Sequence, residues 1–251
     1  MAYRDRYNLE PLRITAYLRT GIVCDRWLPL DGILLYQACR DALGPQDVTI
    51  PGGQDVQGVS TLPLGIVHPG RRNWYYQCSW AQPQPWWVAE GQDCWNKRFD
   101  QGFAYLVDFE GKRGKVIIEQ GQYKAYHMPI FYYAALRVEW YCIGDKVEIE
   151  RLLSTLTHIG KKSAQGWGRV SRWQVEPWHE DWSVWRDGKL ARGIPVDDWQ
   201  AVRGSEPFDL IHYGIRPSYY RQSNQMPLVK PYQCENDLWY NGYMARSEGV
   251  Q

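Results

Sequence analysis

Two stretches of strict apolar–polar alternation are each followed by an amphipathic helix, and that pairing limits the chain to a mixed fold. Leu12, Ile14, Ala16 and Leu18 alternate with Arg13, Thr15, Tyr17 and Arg19, the period of a strand with one buried face. A helix is predicted from Asp31 to Leu43. Asp31 stands at its cap, Leu30 can staple onto Leu35, and Ile33, Leu34, Ala38 and Ala42 form its apolar stripe before Gly44-Pro45 ends it. In the second unit, Leu136, Val138, Trp140 and Cys142 face one way and Arg137, Glu139 and Tyr141 the other. Asp145 and Glu148 then make a capping-box-like start to a helix whose stripe is Ile149, Leu152, Leu153, Leu156 and Ile159.

Further strands are predicted at Lys115–Glu119, at Ala104–Phe109 before a Gly111–Gly114 turn, and from Arg169 to about Glu176. Strand, helix, strands, helix, strand is the order of an α+β, ferredoxin-like (RRM-like) βαββαβ domain, expected over residues 1–176. Residues 45–99 break the pattern. They are rich in Gly, Pro, Gln and Trp, with Pro51-Gly52-Gly53, Pro69-Gly70-Arg71-Arg72 and Pro85-Trp86-Trp87, and read as a large insertion tied down by indoles. Residues 177–251 read as an irregular C-terminal extension packed on the core. No repeat recurs at a fixed period.

The second helix runs into Gly160-Lys161-Lys162-Ser163-Ala164-Gln165-Gly166-Trp167-Gly168-Arg169. Its glycines permit positive φ and close approach, which leaves amides pointing at anionic oxygens. Lys161, Lys162 and Arg169 supply charge; Ser163 and Gln165 supply neutral hydrogen bonds. The loop follows a helix and precedes a strand, so it is neither a Walker loop nor a dinucleotide fingerprint. A sugar–phosphate backbone is the expected ligand; the alternative is a glycine-rich connection that merely turns. Trp167 either stacks on a base or plugs the loop onto the core.

Charge bears on that choice. The chain is nearly neutral at +1, yet residues 97–172 hold 13 Lys and Arg against eight Asp and Glu, while both flanks are net negative. A basic middle is the footprint of an anionic partner, or else a solvated face. Twenty of the 29 basic residues are Arg, which suits planar and bidentate phosphate contacts. The 14 Trp and 18 Tyr fill core and also offer stacking platforms for unpaired bases.

Six cysteines, Cys24, Cys39, Cys78, Cys94, Cys142 and Cys234, never form a C-x-x-C pair and read as small buried hydrophobes. A zinc site with His68 or His127 lacks the usual ligand spacing, so no metal and no cofactor is expected. The N-terminus has no apolar signal region and no run reaches the roughly 18 apolar residues of a membrane span. A cytoplasmic protein is expected.

The segment HIGKKSAQGWGRV, His158 to Val170, resembles the glycine-rich loop of the RAMP superfamily of CRISPR-associated RNA-binding proteins. Leu12 to Leu43, WNKRFD (Trp95 to Asp100), GQYKAYHMP (Gly121 to Pro129) and YGIRPSYY (Tyr213 to Tyr220) extend the likeness to the five-prime-handle-binding subunit of type IV CRISPR effector complexes. That resemblance implies a subunit that caps a filament of backbone RAMP subunits and grips the 5′ handle of the crRNA. It also supports target DNA recognition beside the large subunit, in a complex with a crRNA-processing subunit and an associated helicase. By the same resemblance, Gly160, Lys161, Lys162, Ser163, Gln165, Gly166, Gly168 and Arg169 contact RNA phosphates. Part of 45–99 is then a thumb-like projection.

Other candidates surround the loop. Lys97 and Arg98 suit phosphates and Trp95 or Phe99 stacking, although a Trp and a Phe four apart also pack a turn. Lys124, Tyr126 and His127 lie on a strand-like face, open to RNA or to plain solvent. Arg71 and Arg72 sit on a loop tip suited to DNA or a partner, or to solvation alone. The five histidines include none on the first helix, where related crRNA-processing nucleases place theirs. His158 is expected to meet the second helix's C-terminus, which leaves His127 as the candidate acid or base of an alternative, metal-independent endoribonuclease. No catalytic residue is assigned, and a binder is expected.

Overall fold

The computed structural model describes residues 6–24, 27–43, 61–84, 89–100, 102 and 124–231. In chain order its elements are β1 (Leu9–Leu18), α1 (Leu30–Leu43), β2 (Ile66–Val67), β3 (Tyr75–Tyr76), β4 (Gln82–Gln84), β5 (Ala89–Lys97), β6 (Tyr126–Ala134) and β7 (Arg137–Asp145). There follow α2 (Lys146–Leu153), β8 (Val170–Pro177), β9 (Trp185–Arg186), β10 (Lys189–Leu190), α3 (Val196–Arg203), β11 (Leu210–Gly214) and β12 (Gln225–Val229). The strands expected at 104–109 and 115–119, residues 45–60 of the insertion, Cys234 and the tail from 232 lie outside the described residues.

The fold is α+β. Its main sheet has the order β4-β7-β1-β8, antiparallel throughout, with β1 hydrogen-bonded on both edges. The alternation of β1 places Leu12, Ile14 and Ala16 on the face that meets α1 and α2, where they pack with Val138, Trp140 and Cys142 of β7. Leu30, Ile33 and Leu34 of α1 and Ile149, Leu152 and Leu153 of α2 close that core.

The opposite face of β7 departs from the sequence reading. Glu139 and Tyr141 are buried, because Trp178 and Trp182 of the C-terminal extension pack on the Tyr141 ring at 5.6 and 5.0 Å. The Tyr141 hydroxyl donates to Glu139 at 3.1 Å, so the carboxylate is not buried without a partner.

Both helices differ from expectation at an end. Asp145 caps α2 as predicted, its carboxylate accepting the Glu148 N–H at 3.1 Å. The helix stops at Leu153, however, and Leu156 and Ile159 are buried from the non-helical chain beyond it. The Ser154 hydroxyl donates to the Arg151 carbonyl at 2.7 Å, a local bond that competes with continued helix. α1 begins at Leu30, which puts Asp31 inside the first turn instead of at the cap.

Within 45–99, Gln82–Gln84 is a strand of the main sheet, and Ala89–Lys97 pairs with Tyr126–Ala134 in a long two-stranded ribbon. The extension is more ordered than its weak periodicity suggests. Tyr75, Leu190, Ile194, Ile215, Leu228 and Val229 form a second core around the β11–β12 ladder. Arg192, fully buried, joins the two cores: its guanidinium donates to the carbonyls of Tyr76, Cys78 and Ile215.

Candidate functional site

The loop after α2 is a built structure. Gly160, Gly166 and Gly168 have φ of +81°, +88° and +68°, and Lys162 sits at +63°. A lysine in the left-handed region costs about 1 kcal/mol or more, a strain that concentrates at functional sites. Gly168 is required twice over, because a Cβ there would overlap the Ile159 carbonyl oxygen.

The segment following β1 fixes this shape. The Lys161 N–H donates to the Val23 carbonyl at 2.5 Å and the Gly168 N–H to the Gly21 carbonyl at 2.8 Å. The Thr20 hydroxyl donates to the Gly166 carbonyl and accepts the Arg169 N–H, both at 2.9 Å. Residues 160–166 and Arg169 are exposed, so Lys161, Lys162, Ser163, Gln165 and Arg169 all reach solvent on a rigid frame.

The β5–β6 ribbon lies beside the loop. Ile22 exchanges backbone hydrogen bonds with Tyr133 at 2.8 and 2.9 Å, so the chain between β1 and α1 separates ribbon from loop. Register sets Lys97 opposite Tyr126, Asn96 opposite His127 and Trp95 opposite Met128. Trp95 stacks diagonally on Tyr126 at 6.5 Å, and Lys124 lies 5.6 Å from the Tyr126 ring. Two contacts bridge to the loop: Lys162 lies 5.7 Å from the Trp95 ring, and Trp167 packs on Tyr132 at 4.5 Å.

The residues predicted to contact RNA fall into two groups, linked by Lys162 over the Trp95 ring. Lys161, Lys162, Ser163, Gln165, Gly166 and Arg169 form one bank, and Lys97, Arg98, Lys124, Tyr126 and His127 lie at the far end of the ribbon, reached through Trp95. Trp167 is half-buried, one side packed on Tyr132. Arg71 and Arg72 are exposed in the turn between β2 and β3, where the Arg72 carbonyl accepts from Arg216 at 3.0 Å. No described contact joins that turn to the loop. Arg216, from the YGIRPSYY segment, also donates to the Trp74 carbonyl at 3.1 Å, so it works here as a structural tie.

Three of the five histidines have hydrogen-bond partners. His127 Nδ1 lies 2.5 Å from the Asn96 amide oxygen. His68 pairs with Asp198 at 2.7 Å, bracing β2 against α3. His158 does not end α2, which stops at Leu153; its Nδ1 is 2.9 Å from the Thr157 hydroxyl. Among the described residues no three His, Cys, Asp or Glu side chains converge. Of the described cysteines Cys39, Cys78 and Cys142 are buried as expected, with burial pushing their thiol pKa values up, whereas Cys24 and Cys94 are half-exposed.

Sequence reasoning missed Thr20, Gly21, Gly91 and Tyr132, which hold the loop and ribbon together. A Cβ at Gly21 would lie 2.7 Å from the Tyr132 ring and 3.2 Å from the Trp167 indole, and one at Gly91 would overlap Tyr132. A glycine just past a strand end and a second inside a strand were the available signals.

Among the described residues no helix is long and apolar enough to cross a membrane. A family model described as CRISPR type IV associated protein Csf3 matches residues 10–231. No curated protein matches the chain.

Proposed function

The chain belongs to the Csf3 family of CRISPR type IV associated proteins, and from that premise we propose that it is the non-catalytic subunit that holds the 5′ handle of the crRNA. Membership makes it a component of a type IV CRISPR complex. The finer reading is a RAMP subunit that caps the backbone filament, contacts the large and crRNA-processing subunits, supports target DNA recognition with an associated helicase, and works in the cytoplasm. Strand order β4-β7-β1-β8, with α1 between β1 and β4 and α2 between β7 and β8, supports a ferredoxin-like βαββαβ core beneath it.

The observation that carries this reading is the exposed Gly160–Arg169 loop. Its backbone is locked by Val23, Gly21 and Thr20, it holds Lys162 at positive φ, and it abuts an aromatic and cationic ribbon. The amides of Lys161, Gln165, Gly166, Gly168 and Arg169 donate within the protein, so cations on a rigid frame, not amides, suit phosphates here, and exposed rings beside them suit unpaired bases. Replacing Lys161, Lys162 and Arg169 together by Ala is expected to lower the magnitude of the slope of log affinity against log salt by about two for single-stranded RNA. An unchanged slope removes the loop from the interface. Incubation with repeat RNA in EDTA addresses the enzyme alternative: specific cleavage lost in His127→Ala would replace the binder with a nuclease.

A further inference from the structure

We propose that the pocket beneath the glycine-rich loop, between α1 and residues 156–163, receives one unstacked base of the bound RNA strand. This rests on the reading of the loop as a phosphate-binding element.

The pocket has a volume of about 380 Å³ and opens to solvent. That lies at the lower end of small-ligand sites, the scale of a single nucleotide and too small for a folded element. Ile33 and Leu156 give it an apolar floor. Tyr36 forms one wall; at 43% exposure it is among the exposed large hydrophobic residues, and the Arg40 guanidinium lies 5.9 Å from its ring. Ser163 and His158 add polar atoms to its rim-forming lining. A base has the matching chemistry, with two π faces for Tyr36 and Arg40 and hydrogen-bonding edges for the rim.

Position completes the argument. Gly160, Lys161 and Ser163 line the pocket and also belong to the loop. A strand whose phosphates follow that loop therefore passes the pocket mouth, and one nucleotide can turn its base inward without leaving the backbone track. Tyr36 and Arg40 lie one turn apart on α1 and face the same opening. Specific recognition of single strands works by this division between backbone grip and splayed base.

The test uses the full chain and fluorescent single strands of about 12 nucleotides: oligo(A), oligo(U), and an abasic strand with the same number of phosphates. Wild-type protein is expected to bind the better base-bearing strand more tightly than the abasic one. Tyr36→Ala should cut that preference about tenfold while leaving abasic binding and the salt slope unchanged, since a tyrosine carries no charge to displace counterions. Tyr36→Trp, which keeps the stacking face, should retain it. The proposal is overturned if Tyr36→Ala lowers intact and abasic binding equally, or leaves both unchanged. In that case a salt slope still reduced by the Lys161, Lys162 and Arg169 variant keeps the phosphate loop and discards the pocket; an unchanged slope discards both.

Discussion

The indole of Trp167 rests on the ring of Tyr132, with centroids 4.5 Å apart and planes tilted by 31°. Gly21 lies under this pair and Gly91 beside it, each lacking the Cβ that would push the rings apart. With Lys162 over Trp95, the contact is one of two described links between the glycine-rich loop and the ribbon that carries Trp95, Lys97 and Tyr126. On the proposed reading, Trp167→Ala and Tyr132→Ala each weaken RNA binding although neither removes a charge. An aromatic pair of this kind contributes about 0.5–1.5 kcal/mol beyond its buried area. The double variant should therefore bind little worse than either single one in a double-mutant cycle. Strictly additive losses would show that the two rings act independently.

The loop's glycines differ in what they prevent, and stability measurements should rank them. Gly166 has φ +88° with open space around it, so Gly166→Ala carries the left-handed penalty alone, about 1–2 kcal/mol. Gly168 combines φ +68° with a Cβ position that overlaps the Ile159 carbonyl, and its own carbonyl accepts the Ile159 N–H at 2.9 Å. Gly168→Ala should cost clearly more and disturb binding as well. Thermal unfolding checks the order: a drop of several degrees for Gly166→Ala and a larger one for Gly168→Ala.

Local signals made part of this structure legible. β1, α1, β7 and the capped start of α2 all follow from periodicity and from Asp145 with Glu148, because each is specified by neighbours within a few residues. Ala89–Lys97 lacks such a signal: most of its residues are exposed, and its strand state comes from pairing with Tyr126–Ala134. Gln82–Gln84 is equally silent, a three-residue edge strand made by β7. The cationic loop could be read because its residues are contiguous. Its partners could not, since Thr20 and Tyr132 approach it through tertiary packing from two distant segments. The burial of Glu139 and Tyr141 was hidden for the same reason, as the covering Trp178 and Trp182 come from the extension.

Asp31 gives the fold a pH dependence with a definite sign. Its carboxyl is fully buried, accepts the Tyr219 hydroxyl at 2.5 Å and the Gly32 N–H at 3.0 Å, and leaves Oδ2 without a hydrogen-bond partner. Burial raises its pKa above the ordinary carboxylate value, outweighing Arg192, the Tyr219 hydroxyl and the Gly32 amide, which all favour the charged form. A raised native pKa means the folded chain holds this proton more tightly than the unfolded chain does. The stability it contributes is complete below the unfolded pKa and is lost as pH rises through the native one. Asp31→Asn fixes a neutral side chain at the site, so its melting temperature relative to wild type should climb as pH rises from about 4, the ordinary carboxylate value. An offset that does not change with pH reports the amide in place of the neutral carboxyl, because a countercharge to Arg192 is lost only where Asp31 is ionised. A difference that stays flat or shrinks as pH rises would remove Asp31 as the source of the dependence.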